Sequence, residues 1–197
     1  MRLQKASKEE VYRHRRPENT VTASLTLPQI IRDIKPMVKE RLLAWWAASH
    51  TTEEQRKLPA NIIYYRDGVS KSQYEAVYDT ELQGIRDAFT EVAAEKETWA
   101  SFKLTALLCI KRHSTRFFPL DNDKDSTGNC RVGTLVDRGV TSPWFIDFYL
   151  QSHHALQGTA RPAYYMVLAN EMEMPELVLQ NFVSLTHLSI YRTQTNT

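Results

Sequence analysis

Asp67 ends a run of residues that could set it up for chemistry. Asn61-Ile62-Ile63-Tyr64-Tyr65-Arg66-Asp67-Gly68-Val69-Ser70 gathers apolar and aromatic residues, then a base, an acid and a glycine. A short apolar run closed by Asp-Gly predicts a buried strand that stops at a turn. Ligands of open α/β sheets bind in the crevice beyond the carboxyl ends of the strands. Asp67 would stand there as a hard oxygen ligand. The competing reading is a plain turn.

Two further stretches carry polar chemistry. Lys111-Arg112-His113-Ser114-Thr115-Arg116-Phe117-Phe118-Pro119 places basic side chains and a hydroxyl pair directly after an apolar run. Guanidinium groups at that density suit bidentate contacts to phosphate oxygens; a solvated strand end is the alternative. Phe117 and Phe118 are expected in the core. Ser152-His153-His154-Ala155-Leu156-Gln157-Gly158-Thr159-Ala160-Arg161-Pro162 also leaves an apolar run. Its hydroxyls, amide, imidazoles and arginine can donate to a sugar–phosphate backbone. A metal shared by His153 and His154 is disfavoured, because adjacent side chains in an extended segment point apart. Arg192, near the end of the last predicted helix, is either another phosphate contact or a cation at a helix C-terminus.

The elements that must position these residues follow from periodicity. Residues 1–18 are polar, with a basic knot at Arg13-His14-Arg15-Arg16, and read as a tail. Thr20 to Leu27 alternates and reads as a strand. A helix is predicted from Pro28, with Ile30, Ile34, Met37/Val38, Leu42 and Trp45 as its apolar stripe and a kink or break near Lys35, before Pro36. Trp45 and Trp46 are expected at or near the core. A second helix runs from a Ser70 or Ser72 cap to about Glu97, with an aromatic-rich stripe including Tyr74, Tyr78 and Phe89. Lys103 to Ile110 is a strand, Asp121 to Asn129 a surface loop. Gly133 to Asp137, Phe145 to Leu150 and Ala163 to Leu168 are further strands, and a helix spans Pro175 to about Arg192. This order predicts an α/β domain with a mixed sheet flanked by helices.

Bulk properties narrow the function. Over 197 residues the net charge is +2, so there is no global basic field, and any nucleic acid must meet a local patch. Cys109 and Cys130 lie far apart and fit no metal spacing, as in a reduced intracellular protein. No apolar run is long enough to span a bilayer, and the N-terminus lacks the apolar core of a secretory signal. A cytoplasmic protein is expected, with the nucleus also open, and no membrane partner.

The stretches Ile62 to Ser70, Lys111 to Phe118, Gly133 to Asp137, Asp147 to His153 and Gln157 to Pro162 occur here in the order found in the PIWI domain of Argonaute proteins. The chain resembles that family, and fungal Argonautes in particular, from about Thr20 to its end. The resemblance implies a ribonuclease-H-like fold over residues 19–197 that holds a small guide RNA paired to a complementary target RNA in RNA silencing. It implies that Arg112, His113, Arg116, His153, Gln157, Thr159, Arg161 and Arg192 approach RNA, largely through its backbone. It implies that Asp67 matches a catalytic aspartate that ligates Mg²⁺. Two-metal cleavage needs several carboxylates around ions about 4 Å apart. The resemblance also offers a protein-interaction module that receives a tryptophan-rich partner as a further alternative; the aromatic second helix could serve, but its stripe is more simply core.

The sequence departs from the family at the catalytic positions. None of the acids before Asp67, namely Glu9, Glu10, Glu18, Asp33, Glu40, Glu53 and Glu54, sits in the family's Asp-x-Thr-His-Pro strand. Gln29 falls where the family has a catalytic glutamate, and an amide lacks the charge that helps hold a hydrated metal. The fourth ligand, His or Asp, belongs to a segment beyond the last helix. A partial PIWI domain is therefore expected, without the N-terminal central strand and the C-terminal segment. It should bind RNA, and Mg²⁺ binding and cleavage by this chain alone are not expected. The alternative is a fragment of an Mg²⁺-dependent, RNA-guided endonuclease.

Overall fold

The computed structural model describes residues 30–49, 52, 55–155 and 157–194, with the side chains of residues 121 and 187–194 left out. The expected tail, the strand over Thr20 to Leu27, Gln29 and the side chain of Arg192 lie outside the described residues.

Helix α1, Ile34–Ser49, starts later than expected. Pro36 is its third residue, not an interior kink. In the first turn a missing N–H removes no intrahelical bond, and the fixed φ of proline suits the helix. Strand β1, Asn61–Asp67, stops at Gly68, whose φ of +82° makes the turn. A helical rod, α2, covers residues 71–95, beginning at Ser70, whose N–H donates to Gln73 Oε1 at 2.9 Å. It comprises 3-10 (Lys71–Gln73), α (Tyr74–Ala76), π (Val77–Leu82) and α (Gln83–Glu95) segments. Strands β2 (Lys103–Ile110), β3 (Leu135–Val136), β4 (Asp147–Leu150) and β5 (Ala163–Asn170) precede helix α3, Glu176–Gln194.

The five strands form one mixed sheet in the order β1-β2-β5-β4-β3. β1 runs parallel to β2, with Asp67 opposite Cys109. The remaining pairs are antiparallel. From Ala106 to Ile110 β2 is apolar because both its faces are covered. Leu104, Ala106 and Leu108 join the core shared with α1 and α2, while Leu107 and Cys109 face the opposite core with Leu179 and Val183 of α3. β1 is only half-buried, and among the described residues β2 is its one neighbour, so the expectation of a fully buried strand is not met.

The helix faces also correct the reading of the stripes. Ile34 and Leu42 of α1 are buried, but Trp45 is 54% exposed, its indole N–H donating to the Lys57 carbonyl at 3.2 Å. A Cβ on Gly84 would lie 2.4 Å from Ile34 Cγ2, so the absent side chain lets α1 seat on α2. On α2, Tyr74 and Phe89 are buried and Tyr78 packs against the core. The aromatic stripe therefore packs into the core, as its simpler reading has it. Phe118 is 78% exposed, so the expected Phe117–Phe118 core pair is half right at most; Phe117 stacks edge-on against Tyr149.

The π segment places an acid where periodicity gives no hint of one. Val77, Glu81 and Leu82 are all fully buried there. Glu81 accepts hydrogen bonds from Ile31 N–H (2.8 Å), Tyr64 O–H (2.7 Å) and Arg66 Nε (2.8 and 3.0 Å). A buried carboxylate is tolerated only when paired and hydrogen-bonded in this way. Removing it leaves a guanidinium that is only 11% exposed without this carboxylate. Glu81→Ala is expected to cost about 3–5 kcal/mol of stability, the usual effect of breaking a buried pair. Urea unfolding measures it, and a loss below about 1 kcal/mol would contradict the assignment.

Candidate functional site

The carboxyl ends of the parallel strands β1 and β2 lie level with the start of β5 and the end of β4 at one edge of the sheet. A cleft of about 940 Å³ opens there, with Asp67, Lys111, Arg112, His113, Asp147 and Tyr164 among its lining residues. This is where an open α/β sheet places its ligand.

Asp67 is half-exposed and accepts a hydrogen bond from Lys111 Nζ at 2.7 Å. The second carboxylate of the cleft, Asp147, is buried and committed. It accepts from Ser142 N–H (2.9 Å) and from Tyr164 O–H (2.7 Å). Mg²⁺ needs several oxygen ligands in octahedral geometry. Among the described residues no group of three or more His, Cys, Asp or Glu side chains comes together to hold a metal ion. With an ammonium on Asp67 and Asp147 engaged by two donors, these side chains do not fit a pair of Mg²⁺ ions.

Tyr149 is the hub on which the stretch after β2 rests. His113 meets its ring edge-on at 5.3 Å, Thr115 Oγ1 lies 3.3 Å from its hydroxyl, and Tyr164 packs beside it at 4.8 Å. His113 Nε2 donates to the Pro162 carbonyl at 2.8 Å, which fixes the tautomer, because a carbonyl only accepts. Arg116 folds back, donating to the carbonyls of Thr115 (2.8 Å) and His113 (3.2 Å). Arg112 and Arg161 are exposed. Since Arg112 precedes His113 and Arg161 precedes Pro162, the His113–Pro162 bond ties the backbones that carry these two arginines.

The loop before β5 is built on buried polar groups. Gln151 and Ser152 are each 4% exposed. Gln151 exchanges backbone hydrogen bonds with the segment at Gly133 and Thr134 (2.8 and 2.9 Å), and its side chain donates to the His153 carbonyl at 2.6 Å. His153 is half-buried, and its pKa is pulled below the usual histidine value, first by burial and then by the charges of His154 and Lys111. A neutral imidazole is thus its form at neutral pH. Gln157 and Thr159 are exposed.

The segment Asp121 to Asn129, read from the sequence as a surface excursion, is tied to this loop. Asp125 Oδ1 accepts from Thr127 N–H, Thr127 O–H and Asn129 N–H at 2.7–2.9 Å, and Oδ2 lies 3.2 Å from His154 Nδ1. These donors, the Thr127 hydroxyl foremost, hold the Asp125 carboxyl well below the usual range. Asn129 is 6% exposed. Its amide donates to the Gly158 carbonyl (3.0 Å) and Thr127 Oγ1 (2.9 Å), and its oxygen accepts from Ala160 N–H (2.8 Å).

The structure brings Asp67, Arg112, His113 and the backbone of Arg161 to one edge of the sheet; the sequence singled these out, with His153, on separate stretches, and missed Glu81, Asn129, Asp125, Asp147, Tyr149 and Tyr164. The signal for the Asp125–Asn129 turn was present, since Asp and Asn beside Gly favour side-chain-to-backbone turns. That for Asp147 was hidden inside an apolar strand.

Two phenols lie in this framework. Burial first, and then a carboxylate that accepts their O–H, raise the pKa of Tyr64 (Glu81) and Tyr164 (Asp147) above the ordinary 10.0. Above about pH 10 the unfolded chain releases these protons while the folded chain keeps them. The folded state then binds more protons, so stability is level below that pH and falls above it. Tyr64 and Tyr164 are expected to resist ionisation in an ultraviolet titration, with a lower urea midpoint at about pH 11 than at about pH 9. All tyrosines titrating together near pH 10 in the folded state would contradict this.

The sequence profile of the family described as Piwi domain matches residues 14–196. Among solved structures, the C-terminal lobe of a budding yeast Argonaute superposes with a TM-score of 0.69 at 31% identity, over 77% of this chain and 31% of that one. Kluyveromyces polysporus Argonaute with a guide RNA gives 0.70 at 29% identity, over 81% of this chain and 18% of that one. Drosophila Piwi gives 0.57 at 31% identity, over 75% and 18%. The chain thus spans between 18% and 31% of the length of these proteins. The mixed five-stranded sheet with flanking helices agrees with the ribonuclease-H-like architecture expected from the sequence. By the match over nearly its whole length, the chain belongs to the Piwi domain family.

Proposed function

We propose that this chain binds a small guide RNA, alone or paired to a target RNA, along the edge of the sheet where the loops after β2 and before β5 meet. The observation that carries the reading is the His113–Pro162 hydrogen bond of 2.8 Å, which couples two loops that each expose an arginine, Arg112 and Arg161. Two guanidinium groups on a fixed frame suit neighbouring phosphates of one strand. Gln157 and Thr159 add exposed donors, and His153 adds a neutral imidazole N–H. Such donors suit backbone contacts, so sequence would be read by pairing and the protein would hold backbone and shape. The solved relative from Kluyveromyces polysporus, which contains a guide RNA, supports the same ligand class.

The proposed activity is binding, not cleavage. Asp67 is engaged by Lys111, and the described side chains do not assemble the carboxylates a two-metal reaction requires.

Binding of a labelled short single-stranded RNA, followed by fluorescence anisotropy across salt concentrations, tests the proposal. The chain is expected to bind at low salt and to weaken steeply as salt rises. Arg112→Ala combined with Arg161→Ala should lower the slope of log K against log salt by about 1.4, from about 0.7 for each lost phosphate contact on a single strand. Absence of affinity at low salt, or an unchanged slope in the double variant, would overturn the reading.

A further inference from the structure

We infer that Asn129 is a positioning residue for RNA binding: its buried carboxamide fixes the Gln157–Arg161 loop so that Arg161 is presented to phosphate. The inference rests on the RNA-binding reading above and adds a residue that touches no ligand itself. Gln157, Gly158, Thr159 and Arg161 are exposed, and this stretch forms no strand or helix. Something outside the loop must therefore hold its shape.

Asn129 supplies that hold. One side chain takes both the Gly158 carbonyl and the Ala160 N–H, at 3.0 and 2.8 Å. The two groups flank Thr159, and the second lies one residue before Arg161. Gly158 has φ +73°, which glycine adopts readily, so the loop enters this grip without steric cost. Ala160 is 6% exposed, so its N–H has little access to water as a substitute partner.

The grip is itself braced. Asn129 N–H donates to Asp125 Oδ1 at 2.9 Å, and Thr127 Oγ1 accepts from the Asn129 amide at 2.9 Å. Asp125 Oδ2 lies 3.2 Å from His154 Nδ1, earlier in the same loop. The turn over residues 125–129 therefore grasps the loop at three points, His154, Gly158 and Ala160. Arg161 is held from its other side by the His113–Pro162 bond. Between these anchors the backbone of Arg161 has little freedom, and a guanidinium on a fixed backbone loses less entropy on meeting a phosphate.

A double-mutant cycle on the whole chain tests the inference, with labelled short single-stranded RNA as the probe and thermal unfolding as a check on folding. Asn129→Ala is expected to weaken binding about fivefold to tenfold, as Arg161→Ala does, the scale of one charge-assisted hydrogen bond. Each should lower the salt slope by about 0.7. In the Arg161→Ala background, Asn129→Ala should change the affinity by less than about twofold, because the two changes act on one contact. Asn129→Asp keeps the acceptor for Ala160 N–H and loses the donors, and it stands in for the alanine variant if that fails to fold. Arg161→Ala binding as tightly as wild type would overturn the binding surface itself. Weakened binding by Arg161→Ala, with Asn129 variants at full affinity or with fully additive effects, would overturn this inference alone.

Discussion

The carboxylate of Glu81 is fully buried, and the structure around it is arranged to meet its charge. Three segments distant in sequence converge on it: the chain before α1 through Ile31, β1 through Tyr64 and Arg66, and α2 itself. Removal from water would be costly for an unpaired carboxylate, so these donors are required wherever this sequence folds this way. The consequence reaches the cleft. Arg66, fixed by Glu81, also donates to the carbonyl of Asp67, so the end of β1 is held from inside the core. The π segment that turns Glu81 inward is the local irregularity that makes this possible, and such irregularities often mark functional regions.

Under the loop before β5 the same principle operates with neutral groups. Asn129, Gln151 and Ser152 are buried polar residues under a loop whose outer face is exposed. Each spends its hydrogen bonds on the chain itself, which stiffens the backbone that carries exposed donors. The mixed topology matters here. Because β5 lies antiparallel beside β2, the chain after β2 and the chain before β5 emerge at one edge. A bond such as His113 to Pro162 can then join them. A chain with a net charge of only +2 can in this way still offer a local basic surface.

Much of this frame was legible in the sequence. β2 was found residue for residue, because a strand covered on both faces is apolar through most of its length, here broken only by Thr105 after Lys103. The turn after Asp67 and the two basic stretches were found because glycine and clustered arginine are strong local signals. What escaped depends on partners far along the chain. Glu81 reads as a solvated acid on a helix until Tyr64 and Arg66 are placed beside it. Trp45 fits the periodic stripe of α1, yet it falls at the helix end where the chain turns back, and its indole lies over Lys57 instead of the core. Asn129 looks like one more polar residue in a loop, and its role appears only when Gly158 and Ala160 arrive 29 and 31 residues later.

The central claim is that the loops after β2 and before β5 hold RNA. Hydrogen–deuterium exchange of the chain with and without a short single-stranded RNA tests it most directly, because it locates the contact without altering a residue. The account predicts slower exchange on RNA addition in residues 111–116 and 153–161, with α1 unchanged. Protection confined to α1 and the segment leading into β1, with those two loops exchanging as before, would contradict it.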